Sequence, residues 1–462
     1  MSLTAHQENA KALAALLGID EADAALQLKL RIAVNFDATT FVSRTLGEHV
    51  IALLSRTVEY AGVPSEGQFD VEIIIGPREP AVLAKLRVYA GQAAAIFVVD
   101  SGECLGSCDP ATPPPFLVIE ACRISAAAIR AAVGTSLPVG ASGPIKLDWR
   151  DLLGPHGDSL AAPLDVGEAY LAGAGAVGHG FIYTLRYFDV RGRLWIADPK
   201  KITAGGLNRC LLLSADDVGH PKASRLCQLA RPLFPNLQLI PIDAILGDAL
   251  KALGKEARVE KLVVGVDSRR ARRSLQTELP RSVFDASTTG VSEIVMHFNL
   301  QPSEFACLSC IYPENERERT HEENVAEALG LSINEVRAGL ISAASAATIC
   351  SKYSELRMDD LVGRAFDTVY KELCGVGSLK SVGGEQVLAP FSFVSVLAGA
   401  YLAIEFAIRV NHANGARFNY WRVSPWHSPV PGLRQMRPRD AACEFCSKLY
   451  FREAMKNLWP IG

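Results

Sequence analysis

The chain has 462 residues, of which 49% are hydrophobic and 21% are charged, and its formal net charge is −3. This composition excludes a chain that is disordered throughout, and the near balance of charges does not support binding to nucleic acid or to a membrane surface. The N-terminus has neither the basic start nor the continuous apolar run of a secretory signal, so we expect a cytoplasmic protein.

Residues 1–150 are predicted to form an N-terminal α/β accessory domain. Its helical and strand patterns lie at 7–17, 40–62, 71–75 and 95–100. The apolar stretch 115–133 opens with Pro-Phe, as does the stretch 390–408 late in the chain. This similarity indicates either a degenerate internal repeat of the later nucleotide-binding unit or a coincidence between two buried helices. Because the domain has no glycine-rich fingerprint, we expect it not to bind a nucleotide.

Residues 165–300 alternate between strand and helix patterns, which predicts a doubly wound α/β sheet that binds a nucleotide. The glycines of the turn after its first strand are Gly173, Gly175 and Gly178. They let the main chain approach a phosphate, and the helix that follows offers free N–H groups. The next strand ends at Asp198, whose carboxylate can hold a ribose. Taken alone, this pattern predicts an NAD-dependent oxidoreductase.

The residues after Asp198 favour another class of enzyme. Polar and charged side chains follow in the order Asn208, Arg209, Lys222, Asp267 and Arg272. With two CxxC pairs and the apolar helix from residue 390, this order resembles the ubiquitin-activating and ThiF/MoeB superfamily of adenylating enzymes. The resemblance implies an adenylation domain at 160–310 and 385–450, interrupted by a helical insert at 311–384.

The resemblance also implies a site for ATP and Mg²⁺. Its nucleotide ligands would be Gly173, Gly175, Gly178, Asp198, Asn208, Arg209, Lys222, Asp267 and Arg272. Side-chain chemistry supports this, because Arg209 can bridge phosphate oxygens and Lys222 can stabilise the leaving pyrophosphate. Asp267, at the end of a buried strand, suits Mg²⁺, which takes one or two carboxylates beside phosphate oxygens. We therefore expect Arg209, Lys222 and Asp267 to be catalytic.

The sequence departs from the family at three points. Cys210 stands where relatives usually have Gln, and Ser268 where they have Asn. We expect these changes to alter the ATP geometry slightly. The N-terminal arginine helix of simpler relatives is not recognisable, and Arg44 and Arg56 are the candidates for its role.

Two CxxC motifs predict a structural zinc site. Their members are Cys307, Cys310, Cys443 and Cys446. Each motif places two thiolates on one tight turn, and four thiolates complete a tetrahedral Zn²⁺ site with no open position for water. Such an ion would join the end of the chain to its middle. The alternative is two unrelated pairs of buried cysteines.

The insert at 311–384 is expected to be polar and helical, with a helix over 334–358. In ubiquitin-type activators, the cysteine that accepts the acyl group lies between the first CxxC motif and the closing helix, and Cys350 and Cys374 lie there in this chain. Cys350 lies on a small-residue helical face that favours core packing. We favour Cys374 as the catalytic cysteine, because the glycine-rich segment after it would expose the sulfur.

The stretch 391–408 approaches the length and apolar character of a membrane span. It carries Glu405, however, and a charge near the middle of a bilayer is costly. We therefore predict a buried helix of the soluble core.

The leading hypothesis is an enzyme that adenylates the C-terminal carboxylate of a small ubiquitin-like β-grasp protein and then forms a thioester. Its expected partners are that protein and a conjugating enzyme, in a bacterial pathway of the kind used in antiviral defence. We expect a homodimer or an intramolecular pseudo-dimer. The alternatives are adenylation of a sulfur-carrier protein or peptide without a thioester, an NAD-dependent oxidoreductase, and a non-catalytic half of a heterodimeric activator.

Overall fold

The computed structural model describes residues 3–460 apart from 94–95, 101, 103–104, 135–142, 253, 255–257, 290, 376–387 and 413–417. The helices are α1 (Leu3–Leu17), α2 (Glu21–Gln27), α3 (Phe41–Leu54), α4 (Pro114–Val133), α5 (Trp149–Leu153), α6 (Ala176–Leu185), α7 (Lys222–Ala230), α8 (Leu246–Ala252), α9 (Arg269–Gln276), α10 (Leu308–Ile311), α11 (Glu316–Leu329), α12 (Ile333–Arg337), α13 (Ala343–Lys352), α14 (Met358–Leu361), α15 (Phe366–Gly375), α16 (Ser392–Asn411) and α17 (Leu449–Leu458). The strands are β1 (Arg31–Asn35), β2 (Tyr60–Gly62), β3 (Gln68–Ile75), β4 (Leu83–Ala93), β5 (Ile96–Asp100), β6 (Ile145–Leu147), β7 (Leu164–Ala172), β8 (Val190–Ala197), β9 (Leu237–Ile242), β10 (Lys261–Val264), β11 (Ser282–Thr289), β12 (Glu293–Leu300), β13 (Tyr420–Val423) and β14 (Arg434–Gln435).

Local sequence explains several element boundaries. β3 ends in a run of isoleucines, whose branched side chains suit a pleated surface. Pro114 opens α4, where a missing N–H costs nothing and a fixed φ is already helical. Ser268 caps α9, because its hydroxyl accepts a hydrogen bond from the N–H of Ala271 at 2.9 Å.

The second sheet carries the predicted nucleotide-binding unit. Its order is β14-β13-β12-β11-β10-β7-β8-β9, and the five strands from β11 to β9 are parallel. Alternate side chains of β7 enter different cores: Ala169 and Leu171 pack with α6 and α16, whereas Tyr170 and Ala172 face the side of α8. The sheet is therefore covered on both faces, and the predicted doubly wound α/β fold is confirmed.

The first sheet repeats the arrangement of the second. Its order is β2-β1-β3-β4-β5-β6, with four parallel strands followed by two antiparallel ones. The second sheet has the same pattern in the order β8-β7-β10-β11-β12-β13. In this correspondence α3 matches α6 and α4 matches α16, and α4 packs on α16. The structure therefore supports an internal repeat rather than a coincidence between two helices.

The front copy differs at the place where the second copy has its glycine turn. β1 runs directly into Asn35-Phe36-Asp37, with no glycine. The side chain of Arg78 donates a hydrogen bond to Oδ1 of Asn35 at 2.7 Å, and Asn35 donates to the carbonyl of Glu79 at 3.0 Å. Side chains thus close the end of β1, and the expectation that this unit binds no nucleotide stays a prediction.

Helix α16 is the one described helix that is long and apolar enough to cross a membrane, and 89% of its apolar window is buried. It packs on α6 at close range, since a Cβ on Gly399 would lie 2.6 Å from the carbonyl oxygen of Val177. The buried carboxylate of Glu405 in this helix is compensated by Arg409, whose Nε lies 3.2 Å from Oε2 of Glu405. The prediction of a buried core helix agrees with this packing.

The insert forms a helical unit of its own between α10 and α16. Its apolar side chains, among them Val325, Ile349 and Phe366, make a separate core. The predicted helix over 334–358 is wrong, because the segment breaks into α12, α13 and α14. Gly339 has φ +85°, which ends the first of these, and Ser342 caps the second by accepting from the N–H of Ser345.

Acidic side chains of the insert face the arginine-rich helix α9. Arg273 pairs with Glu318 at 2.9 Å, and Arg270 pairs with Glu322. These ion pairs hold the insert beside the carboxyl edge of the second sheet, because α9 starts just after the end of β10.

Candidate active site and metal centre

Three parallel strands end together at the carboxyl edge of the second sheet. Ala172, at the end of β7, lies beside Val264 of β10 and Ala197 of β8. Ligands of doubly wound sheets bind at this edge. The residues that follow the three strands therefore face one common space.

The glycine turn after β7 is held by close main-chain packing. Gly173 has φ +102°, and a Cβ on it would lie 2.8 Å from the carbonyl carbon of Gly265. A Cβ on Gly178 would overlap the carbonyl oxygen of Gly173. A Cβ on Gly175 would lie 3.9 Å from its nearest neighbour, the carbonyl oxygen of Gly265. Two glycines are thus required by packing within the protein, whereas Gly175 borders open space at the start of α6.

Asp198 holds the glycine turn in place. Its Oδ2 accepts a hydrogen bond from the N–H of Ala174 at 2.9 Å, and its Oδ1 accepts from the N–H of Lys200 at 2.8 Å. The side chain is buried. Its first role in the structure is to position the turn, and its predicted contact with a ribose stays a prediction.

Asp267 and Lys200 form an ion pair across the carboxyl edge. Nζ of Lys200 lies 2.9 Å from Oδ2 and 3.2 Å from Oδ1 of Asp267. The ammonium of Lys200, with Lys222 adding to it, holds the pKa of Asp267 well below its usual range. Although burial opposes the change, Asp267 raises the pKa of Lys200. Sequence reasoning missed Lys200, and its position two residues after Asp198 was the available signal.

Arg209 and Lys222 lie on the segment that links β8 to α7. Nη1 of Arg209 donates to Oδ1 of Asn208 at 2.7 Å and to the carbonyl of Gly205 at 3.2 Å. Lys222 is the first residue of α7, and its N–H donates to the carbonyl of Lys200 at 3.0 Å. Burial raises the pKa of Cys210, and the charges of Arg209 and Lys222 oppose that rise. The charge of Lys222 also lowers the pKa of Asp267, so Lys222 acts on both sides of this segment, whereas the charge of Arg209 acts on Cys210.

Asn208 is a supporting residue in this structure. It is fully buried, and its amide donates to Oδ1 of Asn9 in α1 at 2.8 Å. Its own Oδ1 accepts from Arg209. Asn208 therefore links the N-terminal helix to Arg209, and a direct contact with the nucleotide stays a prediction.

Arg56 belongs to the front unit and binds the main chain of residues 207–213, the segment that carries Arg209. Its guanidinium donates to the main-chain carbonyls of Leu211 at 2.9 Å and Leu213 at 2.7 Å, and also to that of Leu207. Arg44 is exposed on α3. Of the two arginines considered from the sequence, Arg56 lies at the site, where it holds the main chain around Arg209.

The guanidinium of Arg272 is bound by other groups of the protein, and its predicted contact with the nucleotide stays a prediction. Its guanidinium is buried, with Nε donating to Oδ1 of Asp285 at 2.9 Å and Nη2 to the carbonyl of Ala286 at 3.1 Å. The hydroxyl of Tyr312 donates to the other oxygen of Asp285 at 2.6 Å. This buried network satisfies the guanidinium, so the residue locks α9 onto β11 rather than presenting a free cation to phosphate.

The four CxxC cysteines come together as predicted. Their Sγ atoms all lie within 4.8 Å of one another, and neighbouring sulfurs are 3.3 to 3.7 Å apart. A tetrahedral Zn²⁺ with Zn–S bonds of about 2.3 Å needs sulfurs roughly 3.8 Å apart. Main-chain N–H groups of Asp440 and Phe445 point at two of the sulfurs, at 3.3 and 3.4 Å, and such donors stabilise thiolates. The donor set therefore fits zinc, and two unrelated pairs are excluded by their proximity.

The candidate catalytic cysteines both lie in the insert. Cys350 is half-buried on α13 and packs at the border of the insert core. Cys374 falls in the last turn of α15, and its side chain lies outside the described residues, as does the segment 376–387. At the other end of α15, Asp367 lies 3.1 Å from Nε2 of His321, and its charge adds to the raised pKa of Lys200.

A cavity of about 580 Å³ lies away from this site. It is bordered by Ser282 at the start of β11 and Leu300 at the end of the antiparallel β12. Both residues mark the amino edge of the parallel strands. The cavity is therefore at the opposite edge from the glycine turn and is separate from the nucleotide space.

Comparisons with known proteins match both units of the chain. A model of the ThiF family matches residues 157–443, and a model of the E1 N-terminal domain matches residues 1–154. An uncharacterized protein of Sinorhizobium fredii, y4jF, is 26% identical over 273 residues, which cover 55% of this chain and 50% of that protein. Human ubiquitin-like modifier-activating enzyme 7 is 30% identical over 130 residues, which cover 26% of this chain and 13% of that enzyme. The chain thus spans half or less of the length of these relatives.

Solved structures of Escherichia coli MccB also resemble the chain. A crystal structure of MccB with AMPCPP and MccA has a TM-score of 0.36 and 13% identity, over 70% of this chain and 73% of that one. A crystal structure of MccB with ATP has a TM-score of 0.36 and 14% identity, over 71% and 75% of the two chains.

Proposed function

This chain belongs to the ThiF family, and on that basis we propose that it adenylates the C-terminal carboxylate of a small ubiquitin-like protein and then forms a thioester with it. The observation that carries the proposal is the chain of contacts beside the glycine turn: Asp198 binds the turn and the N–H of Lys200, Nζ of Lys200 binds Asp267, and the N–H of Lys222 binds the carbonyl of Lys200. The match of the front unit to the E1 N-terminal domain supports a ubiquitin-type activator, as does the similarity to ubiquitin-like modifier-activating enzyme 7.

The first step joins the carboxylate to the α-phosphate of ATP. A carboxylate oxygen attacks the α-phosphorus, the bond to the β-phosphate breaks, and pyrophosphate leaves with its electron pair. Arg209 and Lys222 stabilise the negative charge that builds on the phosphates. The exposed carboxylate of Asp267 fits Mg²⁺, which would add positive charge at the same phosphates.

The second step transfers the acyl group to sulfur. A cysteine thiolate attacks the carbonyl carbon of the acyl-adenylate, and AMP leaves. We propose Cys374 as this nucleophile, because it lies between the first CxxC motif and α16, directly before a glycine-rich segment of the sequence. A thioester needs an acceptor, so a conjugating enzyme would be a further partner. Free thiols and zinc thiolates persist in a reducing compartment, which supports a cytoplasmic location.

Exchange of labelled pyrophosphate into ATP tests the adenylation step. The wild-type protein, given a β-grasp protein encoded near its own gene, is expected to catalyse exchange, and Asp267→Asn is expected to lower the rate at least about 100-fold, as for a lost charge contact in a transition state. Asp248→Asn, an exposed change on α8, serves as the control and should leave the rate unchanged. Equal exchange rates in Asp267→Asn and wild type would refute the assignment of the site.

Mass spectrometry after incubation with ATP and the same β-grasp protein tests the thioester step. A covalent adduct that a thiol reductant removes is expected for the wild-type protein and for Cys350→Ser, but not for Cys374→Ser. Exchange should persist in Cys374→Ser. Exchange without any adduct in the wild-type protein would instead favour the alternative, in which a sulfur-carrier protein or peptide is adenylated without a thioester.

A further inference from the structure

Lys200 lies between Asp198 and Asp267 at the carboxyl edge of the second sheet, where a nucleotide is proposed to bind. Its Nζ contacts both oxygens of Asp267, and the acidic groups of Asp198 and Asp367 act on it as well. The Lys200 side chain is 33% exposed, whereas that of Asp267 is 72% exposed. The ion pair thus stands at the open side of the carboxyl edge, where the phosphates of a nucleotide would face it.

The position of Lys200 follows from the main chain. The N–H of Lys200 donates to Asp198, and its carbonyl accepts from the N–H of Lys222. These two bonds fix the residue between the end of β8 and the start of α7. Lys201, the next residue, is exposed and contributes a main-chain bridge to Pro221. Two adjacent lysines therefore have different surroundings, and one of them is directed at Asp267.

A carboxylate at this edge creates an electrostatic cost for ATP. The triphosphate carries several negative charges, and an uncompensated Asp267 would repel it. A divalent cation removes that repulsion when it binds between the carboxylate and the phosphates. The ammonium of Lys200 already neutralises the same carboxylate from within the chain.

We propose that Lys200 supplies part of the positive charge that Mg²⁺ supplies at Asp267, so that binding of ATP by this protein depends only weakly on divalent metal. The inference rests on the proposed function, because it assumes that ATP binds at the glycine turn. It adds a residue that neither the sequence motifs nor the family resemblance assigned to the site. The quantity that expresses it is the ratio of the ATP dissociation constant without metal to the constant with metal.

Equilibrium binding of ATP, measured by calorimetry in excess Mg²⁺ and in excess EDTA, tests this inference. For Lys200→Met the ratio is expected to rise at least about tenfold over the wild type, because Asp267 is then compensated only by the metal. Lys200→Arg should keep a low ratio. Lys201→Met, the matched control, should leave the ratio unchanged.

Removing the carboxylate should abolish the effect. In Asp267→Asn the ratio is expected to be small, and adding Lys200→Met to it should not raise the ratio, because no charge is left to compensate. A ratio that Lys200→Met leaves at the wild-type value, or one that rises equally in the Asp267→Asn background, overturns the inference.

The same titrations separate this inference from the proposed function. A wild-type protein that binds no ATP even in excess Mg²⁺ overturns the proposed function and the inference with it. A wild-type protein that binds ATP, with both constants of Lys200→Met changed by the same factor, overturns the inference alone. In that case Lys200 would be an ordinary phosphate-binding cation.

Discussion

Gly178 and Gly175 differ in what a methyl group would meet, although both belong to one fingerprint. A Cβ on Gly178 would overlap the carbonyl oxygen of Gly173, whereas the nearest atom to a Cβ on Gly175 is 3.9 Å away. The first glycine is therefore needed for the fold of the turn itself. The second leaves a space that a phosphate can use.

Replacement of these glycines should separate stability from binding. Gly178→Ala is expected to lower the free energy of unfolding by about 1–3 kcal/mol, because the main chain must shift to relieve the overlap. Gly175→Ala is expected to change it by less than about 1 kcal/mol but to weaken ATP binding. Urea unfolding of the nucleotide-free protein and ATP titration measure the two effects. Equal loss of stability in the two variants would contradict this interpretation.

Side-chain hydrogen bonds decide which predicted site residues are free to meet a ligand. The order of motifs placed Asn208 and Arg272 with Arg209 in one group. In the structure, the side chain of Asn208 hydrogen-bonds to Asn9 and Arg209, and that of Arg272 hydrogen-bonds to Asp285. The sequence could not separate these roles, because Asn9 lies on a helix far away in the chain and Asp285 lies outside the motif that contains Arg272.

The two CxxC turns belong to short elements that one shared metal ion would fix. Cys307 precedes the four-residue helix α10, and Cys443 lies in a turn before α17. Helices this short are not stable alone, since few hydrogen bonds offset the cost of nucleation. Four converging thiols provide the missing constraint if they bind an ion.

Metal analysis tests the zinc proposal. The purified protein is expected to contain about one zinc ion per chain, held by four thiolates. Cys443→Ser is expected to reduce the zinc content to about zero and to lower the melting temperature, because the C-terminal segment loses its tie to α10. Cys350→Ser, outside the cluster, is the control and should retain the metal. A full zinc content in Cys443→Ser would rule out the four-cysteine site.

Helices α4 and α16 are the elements whose likeness was visible in the sequence. A Pro-Phe pair lies at the start of α4 and directly before α16, both helices carry small residues, and both have 20 residues at matching places of the two sheets. Small residues permit close packing, as Gly399 does against α6. The two helices meet the same packing requirement in the two copies, which explains why their sequences are alike although the front copy has no glycine turn.

At the scale of the whole molecule, the front unit completes the site of the second unit. Asn9 of α1 and Arg56 after α3 both bind the segment that carries Asn208 and Arg209. A continuous apolar core joins α3 and α4 to α6 and α16. The two copies thus share one core, and side chains of the front copy support the segment around Arg209 in the other copy.

Replacement of Arg56 tests this dependence between the units. Arg56→Met leaves three main-chain carbonyls without their donor, at a cost of about 1–3 kcal/mol for each that stays buried. We expect a lower free energy of unfolding and an ATP affinity reduced about tenfold, which corresponds to about 1.4 kcal/mol. Arg44→Met, an exposed change on α3, is the matched control. Wild-type affinity in Arg56→Met would show that the front unit does not shape the site.

The sequence by itself determined the α/β class, the glycine turn, the CxxC pairs, the repeated core helix and the family, because these depend on spacing along the chain and on the pattern of apolar residues. Only the tertiary structure decided that Lys200 pairs with Asp267, that Arg272 is buried against Asp285, that Arg56 supports the site from the front unit and that the insert helix is broken. The physical reason is that each of these outcomes depends on which of several competing partners a charged or amide group meets in space. The packing of whole elements decides which partner is met, and no periodic pattern of residues along the chain predicts it.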